Sequence, residues 1–209
     1  MPIHGDSSIF IPRQGKYSKA RASITLSIGT VLSFHSPQKP NMITIVEATT
    51  IIQLDAVRAL ICAFVAWQQV TYHDHLDLLN KYFDSVAFEE ELSGLPGKYA
   101  PPQGRLLLAL NGERPVGCVA LRPVGDQVGE MKRMFVLPDY HGKGVGRALA
   151  KRLIDEARVI GYKHMRLDTG PRQLAAQDLY RSLGFKDIAP YYEVPEDMRM
   201  FLLFMELAL

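Results

Sequence analysis

The chain has 209 residues, of which 47% are apolar and 22% charged, with 16 glycines, 13 prolines and a formal net charge of +2. That is ordinary globular composition, which excludes wholesale disorder, collagen-like repeats and low-complexity scaffolds. Five of the 24 Lys and Arg but one of the 22 acids fall within residues 1–41, leaving 19 basic against 21 acidic residues from Met42 onward, a balance with no general attraction for a phosphate backbone, so no nucleic-acid partner is expected.

The leader, residues 1–41, is basic, Ser-rich and punctuated by Pro37 and Pro40, with a short apolar stretch from Ala22 to Leu32. Such a segment resembles an organelle transit peptide or, lacking a small-x-small cleavage site, a poor signal peptide. The segment is expected to be a poorly ordered basic N-terminal extension or a start-site artefact, with Met42 a natural start. No uninterrupted apolar run approaches the ~18 residues of a membrane span, so no membrane partner is expected. Cys62 and Cys118 stand in apolar surroundings without metal-ligand spacing. Two buried thiols in a reducing, cytoplasmic compartment follow.

From Met42 the chain alternates strand and helix signals. Residues 43–46 read as a strand, and 48–70 as a helix with Leu54, Val57, Leu60, Ile61 and Phe64 at helical spacing. Residues 71–83 read as a second helix. Asn111-Gly112-Glu113-Arg114 between apolar runs predicts a hairpin of 105–110 and 115–121, and 130–136 adds a third strand. Residues 145–160 form the clearest helix, with Val145, Leu149, Leu153, Ala157 and Ile160 on one stripe and Gly161 as its stop. A strand at 164–167, a helix from Pro171 to Leu183 stopped by Gly184, and a strand within 200–207 complete an α/β or α+β pattern.

The chemistry concentrates between Glu130 and Phe185. A glycine-rich turn, His141-Gly142-Lys143-Gly144-Val145-Gly146-Arg147, joins a strand to the strong helix. Side-chain-free residues there let an anion reach unpaired amides at the positive end of the helix dipole, with Lys143 and Arg147 as added donors. A pyrophosphate group fits that arrangement. The nucleotide-triphosphate loop fails, because Gly144 follows Gly142-Lys143 where a Ser or Thr belongs. The dinucleotide fingerprint meets Arg147 at its third glycine, although Asp168 sits where a ribose-binding acid would. His73-Asp74-His75 lacks the i, i+4 spacing of helical metal ligands and reads as a helix-start Asp with solvated histidines, so no metal is expected.

Two linked signatures resemble one family. The segment from Val136 and Pro138 through His141 to Gly142-Lys143-Gly144-Val145-Gly146 is similar to the acetyl-CoA signature of the GCN5-related N-acetyltransferases, with His141 where Arg or Gln is usual. The second runs from Gln173, in place of the commoner Asn, through Ala176, Leu179-Tyr180 and Leu183-Gly184-Phe185. The resemblance covers 42–209 as a single domain and implies a mixed, mostly antiparallel sheet flanked by helices and splayed at the acetyl-CoA site.

It further implies an acetyl-CoA-dependent N-acetyltransferase that lets a small-molecule or peptide amine attack the thioester directly. Met134, Phe135 and Val136 would pair with the pantetheine arm, and His141, Gly142, Lys143, Gly144, Val145, Gly146 and Arg147 would hold the pyrophosphate. Gln173 and Ala176 would touch the arm. Tyr180 matches the family's usual acid, and Glu130 or Asp168 could draw off the amine's proton through a water, with Glu130 slightly favoured and unassisted loss to solvent also open. Pro138 would end the strand near the splay. Pro101–Gln103, the first two helices and Tyr191–Met198 would shape the acceptor pocket, and Trp67 would line a groove or cover the core. Homodimers are common in the family, which leaves a homodimer open. A non-catalytic acyl-CoA-binding module is the alternative.

Overall fold

The structure, a computed structural model, describes residues 42–209; the leader lies outside the described residues. Seven strands form one sheet: β1 (Ile43–Glu47), β2 (Arg105–Asn111), β3 (Arg114–Gly125), β4 (Val128–Val136), β5 (His164–Thr169), β6 (Lys186–Ile188) and β7 (Leu203–Ala208), in the order β1-β2-β3-β4-β5-β7-β6. Every neighbouring pair is antiparallel except β4 and β5. Five α-helices, α1 (Ile51–Thr71), α2 (Leu76–Tyr82), α3 (Ser85–Ser93), α4 (Val145–Ile160) and α5 (Leu174–Ser182), complete the described elements apart from short 3-10 turns.

The strand-period alternation splits one apolar run between two cores. Leu106 and Leu108 of β2 face a cluster with Val57, Leu60 and Ile61 of α1 and Cys118, Ala120 and Phe135 of β3 and β4. Leu107 and Ala109 face the other way, against Val145, Leu149, Leu153 and Ala157 of α4. Burial on both faces explains why this strand is continuously apolar rather than alternating. The predicted turn holds, with Gly112 at φ 61° between β2 and β3, and α4 spans the predicted residues and ends on Gly161 at φ 102°.

The β3–β4 ladder carries a bulge. Register shifts between Cys118↔Phe135 and Ala120↔Lys132, and Arg133 sits at φ 54°. On its other edge β4 pairs with β5 only at Val128, Gly129 and Glu130, opposite His164, Met165 and Arg166. From Met131 to Val136 that edge is open, so the two strands diverge. The splay therefore begins at Met131, well before Pro138, which instead opens a 3-10 turn after the strand.

Several expectations are corrected. Cys62 is exposed, and only Cys118 is buried; α1 carries apolar residues on its outer face too, including Ile52, so apolar neighbours in sequence do not mark the inner side. By length and composition α1 is also apolar enough to cross a membrane, the one such helix among the described residues, although its Val57, Leu60 and Ile61 lie in the core. The second helix is only α2, starting at Leu76 rather than Thr71, which ends α1, and a helix not expected from the sequence, α3, follows it with Asp84 as its side-chain cap through Ala87 N. Helix α5 starts at Leu174 rather than Pro171, because the Gln173 amide oxygen accepts from the Thr169 hydroxyl at 2.7 Å and the Gly170 N–H at 3.4 Å, closing a turn before the helix.

Candidate active site

Two cavities lie on the diverging strands. The larger, a cleft of about 1330 Å³ including its open mouth, is walled by the open edge of β4 at Met134, Phe135 and Val136, by the turn residues His141, Gly142, Gly144, Val145, Gly146 and Arg147, and by Gln173, Ala176 and Tyr180 of the α5 region. These are the predicted cofactor-binding residues with one exception. Lys143 does not line the cleft, because its ammonium lies over the Tyr140 ring, 5.2 Å from the centroid. Phe64, Trp67, Arg172, Leu174 and Leu179 also line it. Of these, Trp67, which packs 6.5 Å from Phe64, was expected at a groove or over the core, Leu179 stands in the second signature and Phe64 on the first helix's apolar spacing, whereas Arg172 and Leu174 had no signal in the sequence.

The turn is built for close approach. Gly142 and Gly144 adopt φ of 72° and 81°, the left-handed region that favours glycine, and a Cβ at either would meet nothing within 4 Å. The first helical bond of α4 runs from Ala148 N to Gly144 O, so the amides of Gly142, Gly144, Val145, Gly146 and Arg147 have no backbone acceptor among the described residues. These five amides, together with the dipole of a 16-residue helix, suit an anion. His141 lines the cleft but directs Nε2 at the Val136 carbonyl, 2.8 Å away, tying the turn to the strand end. Arg147 donates to the Ser182 hydroxyl at 2.7 Å.

Tyr180 is 5% exposed and packs against Phe185 at 5.8 Å. Burial, reinforced by the charge of Asp168, pushes its phenol well above the ordinary value, so it stays protonated at neutral pH.

The second cavity, about 540 Å³ with its mouth, shares Phe64 and Gln173 with the cleft and is otherwise walled by α1, α2, the end of β5 and the segment before β7. Asp168 faces it. The Asp168 carboxylate accepts from Lys132 Nζ at 2.6 Å and from the hydroxyls of Tyr82 and Tyr192, each at 2.8 Å. Burial works to raise its pKa, yet the Lys132 charge and these donors outweigh it and hold the group below the usual range. Tyr82, buried beside this anion, is pushed up to about 12.

Glu130 lines neither cavity. Its side chain is fully buried, with one oxygen on Arg122 and the other on the Tyr191 hydroxyl, while Lys132 stands 3.7 Å away. Thus Tyr191 and Tyr192 each cap one buried carboxylate. Pro101–Gln103 stay away from both cavities, with the Gln103 carbonyl accepting from Tyr162. Asp74 caps no helix; it clamps the Arg172 guanidinium at 2.6 and 2.7 Å, and His75 is the residue before α2. No cluster of metal-ligating groups occurs among the described residues.

A mostly antiparallel sheet that reaches its glycine turn only after four strands is not the parallel dinucleotide fold, and comparisons with known proteins give the positive answer. Residues 64–185 match the family model described as the acetyltransferase (GNAT) family. An uncharacterized N-acetyltransferase of Schizosaccharomyces pombe is 40% identical over 109 residues, 51% of this chain and 67% of that protein. A GNAT-family acetyltransferase of Staphylococcus aureus superposes with a TM-score of 0.62 at 20% identity, covering 80% of this chain and 99% of that one. The PaiA N-acetyltransferase of Thermoplasma acidophilum, solved in complex with coenzyme A, gives 0.59 at 16% identity, with 80% and 99% covered. With the family's sheet, its splay and its glycine turn all present, the chain belongs to the GNAT acetyltransferase family and is an acyltransferase.

Proposed function

We propose that the protein transfers the acetyl group of acetyl-CoA to a primary amine by direct attack. The observation that carries this reading is that Gly142, Gly144, Val145, Gly146 and Arg147, whose amides have no backbone acceptor among the described residues, line the same cleft as the open β4 edge and Tyr180. The group fits: a Cβ at Gly142 or Gly144 would project into empty space, leaving room for a diphosphate against the backbone. When bound, acetyl-CoA supplies an acetyl thioester whose C–S bond breaks as the N–C bond to the amine forms.

The residues of the chain then divide the work. The amides of Gly142, Gly144, Val145, Gly146 and Arg147 hold the diphosphate, and the unpaired edge from Met134 to Val136 offers strand-like hydrogen bonds to an extended amide-bearing arm. Tyr180, protonated across the working range, gives its proton to the departing sulfur. The amine enters through the second cavity, where the ionised Asp168 stabilises an incoming ammonium and takes up its proton through a water. Glu130, walled off by Arg122 and Tyr191, supports Lys132 rather than reaching the amine; this favours Asp168 as the base.

Calorimetric titration tests the reading. Micromolar acetyl-CoA binding with no heat from NAD(P), followed by thiol release when an amine is added, is expected. Binding without turnover across a broad amine panel would instead support a non-catalytic acyl-CoA module.

A further inference from the structure

Gln68 lines the second cavity and carries a polar atom that the protein leaves unsatisfied. Gln68, on the inner face of α1, is 6% exposed, and its Oε1 has no hydrogen-bond partner among the described residues. Its neighbours in the wall are largely apolar, with the rings of Phe64 and Phe201 and the side chains of Leu78 and Met198 among them. A buried amide oxygen without a donor weakens the fold, and a site that pairs it with a ligand's N–H or O–H rejects analogues lacking that group.

The charges around the cavity narrow the ligand further. Asp168 is the charged carboxylate in its lining, and neither Lys nor Arg lines it. His75 lies 3.5 Å from Asp74, which is itself held by Arg172. A carboxylate on the acceptor would therefore meet Asp168 and the Gln68 carbonyl oxygen with no free cation to receive it. Resting on the acetyl-transfer reading above, we infer that the acceptor is a primary amine with a compact, flat or aliphatic apolar body, without a carboxylate, whose neutral hydroxyl or N–H donates to Gln68 Oε1. Gln68 is the residue that selects it.

Matched amines test this with the full chain. Tyramine is compared with 2-phenylethylamine, 4-aminobutanol with butylamine, and phenylalanine serves as the acid-bearing control. Thiol release from acetyl-CoA gives kcat/KM, and calorimetry in the presence of coenzyme A gives amine affinity without turnover. The expected result is a tenfold or greater advantage for the hydroxylated member of at least one pair, with phenylalanine the poorest. In Gln68→Met that advantage falls to within about twofold, while acetyl-CoA affinity, the check on folding, is unchanged.

A preference that persists in Gln68→Met, equal use of both members in the intact protein, or preference for phenylalanine would overturn the inference. If acetyl-CoA itself fails to bind, the acetyl-transfer reading falls, and the amine affinities still decide the role of Gln68. Should Gln68→Met fold poorly, Gln68→Leu is measured in its place.

Discussion

Lys132 Nζ lies 2.6 Å from one carboxylate oxygen of Asp168 and 3.7 Å from Glu130, so one ammonium serves two buried acids at the point where β4 and β5 part. Burial opposes its charge, but these two carboxylates and Tyr82 hold its pKa well above that of a free lysine. Replacing it by Met leaves Asp168 buried without its cation, which should cost about 3–5 kcal/mol at neutral pH.

The pH dependence has a definite sign. In the intact protein the depressed Asp168 contributes stability above its unfolded pKa that is lost as pH falls through the folded value. Without Lys132 the burial contribution dominates, the folded pKa rises, and acidification relieves the cost. The stability gap between Lys132→Met and the intact protein should therefore narrow from pH 7 to pH 5 in urea unfolding. An equal gap at both would contradict the assignment.

Tyr180→Phe keeps the ring that packs on Phe185 and removes only the hydroxyl. Acetyl-CoA affinity should be unchanged and kcat should fall about 10²-fold, the scale of a lost general acid. Because burial and Asp168 keep the phenol protonated, the intact enzyme should show no alkaline fall in kcat below pH 10. Steady-state rates across pH decide both points.

Gly144 sets the turn at φ 81° with open space on its Cβ side. Gly144→Glu places a negative charge at the proposed diphosphate site and should weaken acetyl-CoA binding about 100-fold or more. Gly144→Asn tolerates the left-handed conformation and controls for strain; it should keep the fold and lose far less affinity. Calorimetry on both variants separates charge from conformation.

Gly170 abuts the hydroxyl of Tyr72, which a Cβ would approach to 2.2 Å. That hydroxyl accepts from Arg172 N at 3.1 Å and belongs to the wall of the second cavity. Gly170→Ala should destabilise by about 1–3 kcal/mol, and adding Tyr72→Phe should recover part of the loss. Additive losses in this double-mutant cycle would show that the two positions do not compete for space.

What was legible in the sequence is what local periodicity and turn chemistry encode. Helix α4 carries its stripe, its glycine start and its glycine stop within one segment, and the Gly112 turn fixes its hairpin by itself. The amide cradle is equally local, so its residues could be named in advance. Partners joined across the fold could not be. The bonds Lys132–Asp168, Tyr191–Glu130 and Tyr82–Asp168 span 36, 61 and 86 positions, and the three-residue β6 has too few residues to show a period. Hence the resemblance slightly favoured Glu130 over Asp168, while the fold encloses Glu130 and sets Asp168 in the wall of a cavity. Gln68 carried no signal, since a single amide among apolar residues reads as ordinary helix.

The most direct test of the central claim is a crystal structure of the protein with acetyl-CoA. The diphosphate should lie within hydrogen-bonding distance of the amides between Gly142 and Arg147, with the thioester sulfur near the Tyr180 hydroxyl. Coenzyme density lodged elsewhere, or a cleft left empty at millimolar ligand, would contradict the account.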